Sequence, residues 1–230
     1  MGDTKWRFSY NSKALEYEKF SNFEDSKNEV VSFLSENLDL SKLRALEVGC
    51  GTGRYTPFLA NLLKHLIASD ASKNMLDLCK NKCTKCKNID LFVCDAIKLP
   101  FEDNYFDLVF ASWAISSMGK IENQKIAIQE IKRVLKKDGI IILIENHWNS
   151  DFVKLLGENP IYENSKVAQI QSIEPFNIIK IIESPLMFEN FEDAKKIILS
   201  AIRTAKLDNL NKTGKVTINH KIAILSNKNI

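Results

Sequence analysis

Apolar positions along the chain fall into two recurring patterns that alternate. Short apolar runs at residues 43–48, 66–69, 89–93, 106–111 and 140–144 predict five strands. The last of these is uniformly apolar, as in a strand buried on both faces of a parallel sheet. Between the runs, apolar residues recur at helical spacing. Ser26 and Glu29 read as a capping box that opens a helix over 26–38, with Val30, Val31, Leu34 and Leu38 as its stripe. Tyr55, Phe58, Leu59, Leu62, Leu63 and Leu66 mark a second helix, which Pro57 permits only from its first turn. A third begins near Ser72. Ala127, Ile128, Ile131, Val134 and Leu135 stripe a fourth, with Gly139 as its C-terminal cap.

The pattern changes toward the end of the chain. Residues 176–182 and 216–225 predict strands, with a capped helix over about 191–205 between them. Val216, Ile218, His220, Ile222 and Ile224 alternate strictly, which predicts a half-buried antiparallel strand. Residues 150–175 show no clear period and predict an irregular cap. The fold expected is α/β: a doubly wound sheet of about seven strands, five parallel plus a C-terminal antiparallel pair, with helices on both faces. One domain spans 1–230: a lid over 1–24, a core over 25–149, the cap over 150–175, and a strand–helix–strand unit over 176–230.

Composition adds exclusions. Of the 230 residues, 45% are apolar and 27% charged, which is the balance of a globular protein and not of a disordered one. The formal charge of +3 does not predict a nucleic-acid or anionic-membrane surface. No apolar run approaches the ~18 residues that span a bilayer. The first residues lack a signal peptide's apolar core, and Trp6 stands where a myristoylation motif wants Ser or Thr. Five Cys in such a chain predict reduced thiols and a cytoplasmic location.

The chemistry begins where the first strand ends. Three of the eight Gly fall within Glu47-Val48-Gly49-Cys50-Gly51-Thr52-Gly53. Open α/β sheets bind ligands at the carboxyl ends of their strands, and glycines there let the backbone turn sharply and touch a ligand. A dinucleotide fingerprint would place its third Gly where Arg54 stands, so a pyrophosphate is not expected. Asp70 and Asp95 each follow a strand and can accept charge-assisted hydrogen bonds from a rigid position. Ser72 can cap the helix that follows, which leaves Asp70 for a ligand.

From Leu43 to Glu145 the sequence resembles the class I S-adenosylmethionine-dependent methyltransferases. The run 46–53 is similar to that family's first motif, Ser69-Asp70-Ala71-Ser72 to its ribose-binding strand end, and Cys94-Asp95-Ala96 with Leu99-Pro100-Phe101 to its adenine-binding segment. Residues 107–111 and 135–139 resemble its approaches to the fourth and fifth strands. The resemblance implies a Rossmann-like fold and S-adenosylmethionine as cofactor. It implies a site made of Glu47, Gly49, Cys50, Gly51, Gly53, Asp70, Ala71, Met75, Asp95, Ala96 and Ala111, with Glu47 able to brace the glycine turn instead.

Cys79, Cys83 and Cys86 have the spacing that radical S-adenosylmethionine enzymes use for an iron–sulfur cluster. They continue the stripe of Met75 on one helix, so they are expected in the core, with no metal site. His220 is expected as a satisfied core residue and His65 at a helix end. His147 follows the fifth strand on the ligand side and is the candidate catalytic residue. Trp113 and Trp148, with Tyr10, Trp6 and Phe8 from the lid, could wall an acceptor pocket. The function expected is direct in-line methyl transfer to a small-molecule acceptor, without DNA and without membrane insertion. Two alternatives stay open: a non-catalytic cofactor-binding module serving a protein partner, and an RNA methyltransferase, which would want a basic face.

Overall fold

The structure, a computed structural model, describes residues 14–158 and 160–230. Trp6, Phe8 and Tyr10, and the expectations placed on them, lie outside the described residues. Helix α1 (Ala14–Ser21) leads into α2 (Glu29–Asn37), and then strand and helix alternate: β1 (Arg44–Val48), α3 (Thr56–Leu62), β2 (His65–Asp70), α4 (Lys73–Lys82), β3 (Ile89–Val93), β4 (Phe106–Ser112), α5 (Ile121–Val134) and β5 (Leu135–Asn146). The remainder holds α6 (Asp151–Leu155), α7 (Lys166–Ile173), β6 (Asn177–Glu183), β7 (Leu186–Phe188), α8 (Phe191–Ala201), β8 (Val216–Ile218) and β9 (Lys221–Ser226).

The main sheet has seven strands in the order β3-β2-β1-β4-β5-β9-β6. The first five are parallel, and β9 is antiparallel to both β5 and β6. This is the doubly wound sheet the alternating pattern predicts. Successive residues of each strand feed opposite cores. Ala45, Leu108 and Ile142 pack with Val30, Leu34, Leu59 and Leu76 on one face. Leu46, Val109 and Ile141 pack with Ile128, Ile131 and Ile170 on the other. The winding reverses between β1 and β4, and that reversal opens a crevice at the carboxyl ends of both strands.

Several local expectations are corrected. Helix α2 starts at Glu29, after Asn28 at φ 55°, so the Ser26–Glu29 capping box does not form. Asp25 caps it from outside: its carboxylate accepts from the main-chain N–H of Glu29 at 2.8 Å and of Val30 at 3.1 Å. Gly139 is not a helix cap. Leu135 already pairs with Phe106 in the sheet, so α5 ends at Val134 and Gly139 lies inside β5, where a Cβ would meet the Leu135 side chain at 2.5 Å. Helix α3 ends at Leu62, and Leu66 belongs to β2. His65 opens that strand and is not at a helix end; it pairs with Asp90 at 3.1 Å.

The C-terminal half also departs from the reading of its sequence. The alternation from Val216 to Ile224 spans two strands in different sheets. The carbonyls of Asn219 and His220 accept from the N–H groups of Phe152 and Ser184 and are thereby taken out of the ladder. Beyond that break, β9 is buried on both faces, not half-buried, because it sits between two strands. β8 pairs with β7, a strand too short to show a period. Helix α8 stops at Ala201. The expected irregular cap contains α6 and α7, the latter capped by Ser165 Oγ accepting from Ala168 N–H at 3.0 Å. Phe20 of α1 stacks on Phe152 of α6 and shares an apolar cluster with Phe188, Ile198 and Ile218. Elements far apart in sequence thus form one roof beside the sheet's carboxyl edge.

Asp25 carries more than a cap, since the Tyr55 hydroxyl also donates to it at 3.1 Å. Asp25→Ala should lower the unfolding free energy by about 2–3 kcal/mol, from a lost cap and an orphaned buried hydroxyl. Asp25→Asn should lose less. Urea unfolding followed by circular dichroism measures both.

Candidate functional site

β1 delivers the chain to a turn that only glycines allow. Gly49 and Gly53 hold φ of 68° and 79°, the left-handed region. A Cβ on Gly49 would lie 2.4 Å from Ala114 Cβ in the turn after β4, and one on Gly53 would lie 2.7 Å from Cys79 Sγ on α4. The turn is therefore wedged between two elements. Its far side is tied to β2. Cys50 N–H donates to the Ser69 carbonyl at 2.9 Å, and Asp70 accepts from Gly51 N–H at 2.9 Å and from Ser72 N–H at 2.8 Å. Burial raises the Asp70 pKa, opposed by those two N–H donors. Ser72 caps α4, its Oγ accepting from Met75 N–H at 3.3 Å, as the sequence predicts.

A cleft of about 660 Å³ lies over these strand ends. Gly49, Gly51, Asp70, Ala71, Met75, Asp95 and Ala96 all line it. Asp95 accepts from Ile97 N–H at 3.3 Å. The loop that follows is fixed from α5, where Glu130 accepts from Leu99 N–H and Arg133 donates to the carbonyls of Leu99 and Phe101. The other four expected residues do not line the cleft. Glu47 is buried under α3, accepts from Thr56 Oγ1 at 2.7 Å, and has its pKa pushed well up by burial. Cys50, Gly53 and Ala111 are packed behind the cleft wall. Cys79 and Cys83 are buried with Cys50 in the apolar core, and Cys86 packs against it.

Trp113 stands at φ 48°, an uncommon conformation for so bulky a residue. Several contacts hold it there. Its N–H donates to the Ile144 carbonyl at 2.8 Å, and its Nε1 donates to Asn146 Oδ1 at 2.9 Å. The Arg54 guanidinium lies 5.0 Å from its ring centroid, paired on its other side with Glu24. Asn146 Oδ1 also takes His220 Nε2 at 2.9 Å. His220 is fully buried, its Nδ1 has no hydrogen-bond partner among the described residues, and burial beside Arg54 pushes its pKa down to about 4. It is a core residue, as expected, but only half satisfied.

Trp113, Tyr17 and Ser117 are shared with a second cleft, of about 1300 Å³, between the sheet edge and the roof. Phe20, Phe152 and Asn146 line it too, with Glu158 and Lys166. His147 and Trp148 line neither cleft. The two rings stack on each other at 3.8 Å, His147 is buried, and its Nδ1 accepts from Asn149 N–H at 3.2 Å. Sequence reasoning missed Tyr17, Ser117 and Asn146. The only signal for the last two was their position, Ser117 beyond the fourth strand and Asn146 at the end of the fifth.

Comparison with known proteins agrees with this geometry. Residues 46–143 match the family model of the methyltransferase domain. The demethylmenaquinone methyltransferase of Staphylococcus aureus is 35% identical over 106 residues, 45% of this chain and 43% of that enzyme. The chain thus spans less than half the length of the curated relatives it matches. The crystal structure of the YcgJ protein from Bacillus subtilis superposes with a TM-score of 0.63 at 18% identity, covering 86% of this chain and 97% of that one. A SAM-dependent methyltransferase from Aquifex aeolicus gives 0.55 at 18% identity, covering 87% and 90%.

The wedge at Gly49 is directly testable. Gly49→Ala should cost about 2–4 kcal/mol, from the left-handed φ and the overlap with Ala114. Adding Ala114→Gly should relieve the overlap and leave the backbone part, so the two changes should couple by at least ~1 kcal/mol in a double-mutant cycle. Additive effects in urea unfolding would place the strain elsewhere.

Proposed function

We propose that this chain is a class I S-adenosylmethionine-dependent methyltransferase, which holds that cofactor over β1 to β4 and methylates a small molecule in the adjoining cleft. One observation carries the reading. The glycine turn, Asp70 and Asp95 converge on one cleft, and Tyr17, Trp113 and Ser117 line both that cleft and a second one. The kinship with a demethylmenaquinone methyltransferase supports a small-molecule acceptor.

The residues present suit the cofactor. Asp70, held by main-chain N–H groups of Gly51 and Ser72, presents its carboxylate to the cleft, where it suits ribose hydroxyls. Asp95, at the end of the neighbouring strand, suits an exocyclic amino group. Met75, Ala71 and Ala96 offer an apolar bed for a purine, and Gly49 and Gly51 let the main chain approach closely. When bound, the cofactor supplies a methyl group already activated by its sulfonium. The protein's part is then alignment and the exclusion of water. Tyr17 and Trp113 line both clefts. Trp113 is fixed by Asn146 and Arg54, so its ring is a rigid wall for an acceptor. His147, buried away from both clefts, is given no role in the transfer.

Calorimetric titration with S-adenosylhomocysteine tests the cofactor assignment. Asp70→Ala should weaken binding by about 2–3 kcal/mol, roughly 30–150-fold. Wild-type affinity in that variant would remove the ribose role from Asp70. Incubation with methyl-labelled cofactor and a metabolite extract should move label into a small molecule. Label appearing only in RNA or protein would overturn the acceptor class.

A further inference from the structure

Glu145 is a buried carboxylate that takes no part in holding the cofactor. It lies near the end of β5 and is 2% exposed. Its Oε2 accepts from Ser116 Oγ at 2.6 Å, and Ser116 lines the second cleft. The serine is fixed by its place in a short 3₁₀ turn (Ser116–Met118) just beyond Trp113. Gln124 of α5 reaches the Ser116 carbonyl from below at 3.5 Å. Two charged groups act on Glu145: Lys166 of α7 favours its ionised form, and Glu158, after α6, opposes it. Burial outweighs both and the serine's hydrogen bonds, and pushes the carboxyl up to about 7. A carboxylate of that basicity behind a hydroxyl at a cleft wall is placed to take a proton from whatever the cleft holds.

We propose that Ser116 and Glu145 form a proton relay for an acceptor whose aromatic or enolic hydroxyl must lose its proton as it is methylated. The inference rests on the methyltransferase reading and deepens it. Ser116 donates inward to Glu145, which leaves its oxygen lone pairs to accept the acceptor's hydroxyl. As the acceptor oxygen bonds to the methyl carbon, the carbon–sulfur bond breaks and sulfur keeps the pair. The acceptor's proton passes to Ser116 Oγ, and the serine's own proton passes to Glu145, which later returns it to water. The substrate class follows from the cleft and from acidity. Tyr17, Phe20, Trp113 and Phe152 present aromatic side chains to the occupant, which suits a flat, unsaturated molecule. A phenol, with a pKa near ~10 as in tyrosine, is within reach of such a base, whereas a neutral amine or a thiolate attacks without one.

The test uses methyl-labelled S-adenosylmethionine with phenols, naphthols and enols beside matched anilines and thiols, from about pH 5.5 to 8.5. Label should enter hydroxyl acceptors. Turnover should rise with pH and level off above about 7, since only ionised Glu145 takes the proton. Glu145→Gln should lower kcat by about 10²-fold or more and abolish that rise, with KM and S-adenosylhomocysteine affinity unchanged. Ser116→Ala should do the same, and Ser116→Thr should restore much of the rate. A readout independent of activity comes from stability. A carboxyl whose folded pKa is raised takes its proton first in the native state, so it favours folding at low pH, and that contribution is lost as pH rises through the folded value. The wild type should therefore gain Tm relative to Glu145→Gln as pH falls from about 8 to 5. A Glu145→Gln enzyme with wild-type kcat and pH profile overturns the relay. So does S-adenosylhomocysteine binding with no label in any hydroxyl, which would leave the cofactor reading intact. Failure to bind S-adenosylhomocysteine would overturn that reading itself.

Discussion

The missing Cβ at Gly49 and Gly53 is the constraint on which the rest of the arrangement depends. Each glycine sits at positive φ, and each lets a neighbouring element come closer than any side chain would permit: the turn after β4 in one case, α4 in the other. These two approaches set where β4's tip and α4 stand relative to β1. They also set where Trp113 and Met75 stand, since those residues ride on the same elements. The Asp70 carboxylate then fastens the turn's remaining free side by accepting from Gly51 N–H. One short segment thus determines the floor of the first cleft and, through Ala114 and Trp113, one wall of the second.

What could be read from the sequence follows from how local the cause is. The strands of the parallel half, the cap at Ser72 and the strand-end positions of Asp70 and Asp95 are set by residues within a few places of each other. Pattern reading finds them. Glu47, Cys50, Gly53 and Ala111 belong to the same segments, but strand alternation or packing turns them away from the cleft, and a motif does not say which way a side chain faces. Gly139 misled because a glycine after an apolar helical stripe fits a cap, while the pairing of Leu135 with Phe106 is a tertiary fact. The division of 216–225 between two sheets was hidden for the same reason. The period is unbroken, and only the diversion of two carbonyls to Phe152 and Ser184 breaks the strand.

The second cleft was the least legible part, because it has no contiguous source. Its walls come from α1, the turn after β4, α6, α7 and the end of α8, brought together by the apolar cluster around Phe20, Phe152 and Phe188. Aromatic residues near strand ends were expected to face an acceptor. The geometry divides them: Trp113, held by Asn146 and Arg54, lines both clefts, whereas His147 and Trp148 stack on each other and line neither. Polar side chains decide this sorting, and their partners are up to 74 positions away in the chain.

The position of β9 has a consequence for biosynthesis. It enters the sheet between β5 and β6, which both precede it in the chain. Until it arrives, β5 presents an unpaired edge whose inner residues, Ile142, Leu143 and Ile144, are among the most deeply buried of the finished molecule. On a ribosome, the parallel half can wind up as it emerges, but its open flank must wait for residues 221–226. During that interval β6 is the nearest wrong partner, and another nascent chain is the next. The second cleft shares this delay, because Asn146, which lines it, stands at the end of β5 and pairs with Ile222. Trp113, held by Ile144 and Asn146 of β5, lines both clefts, so the shape of each depends on how β5 is flanked.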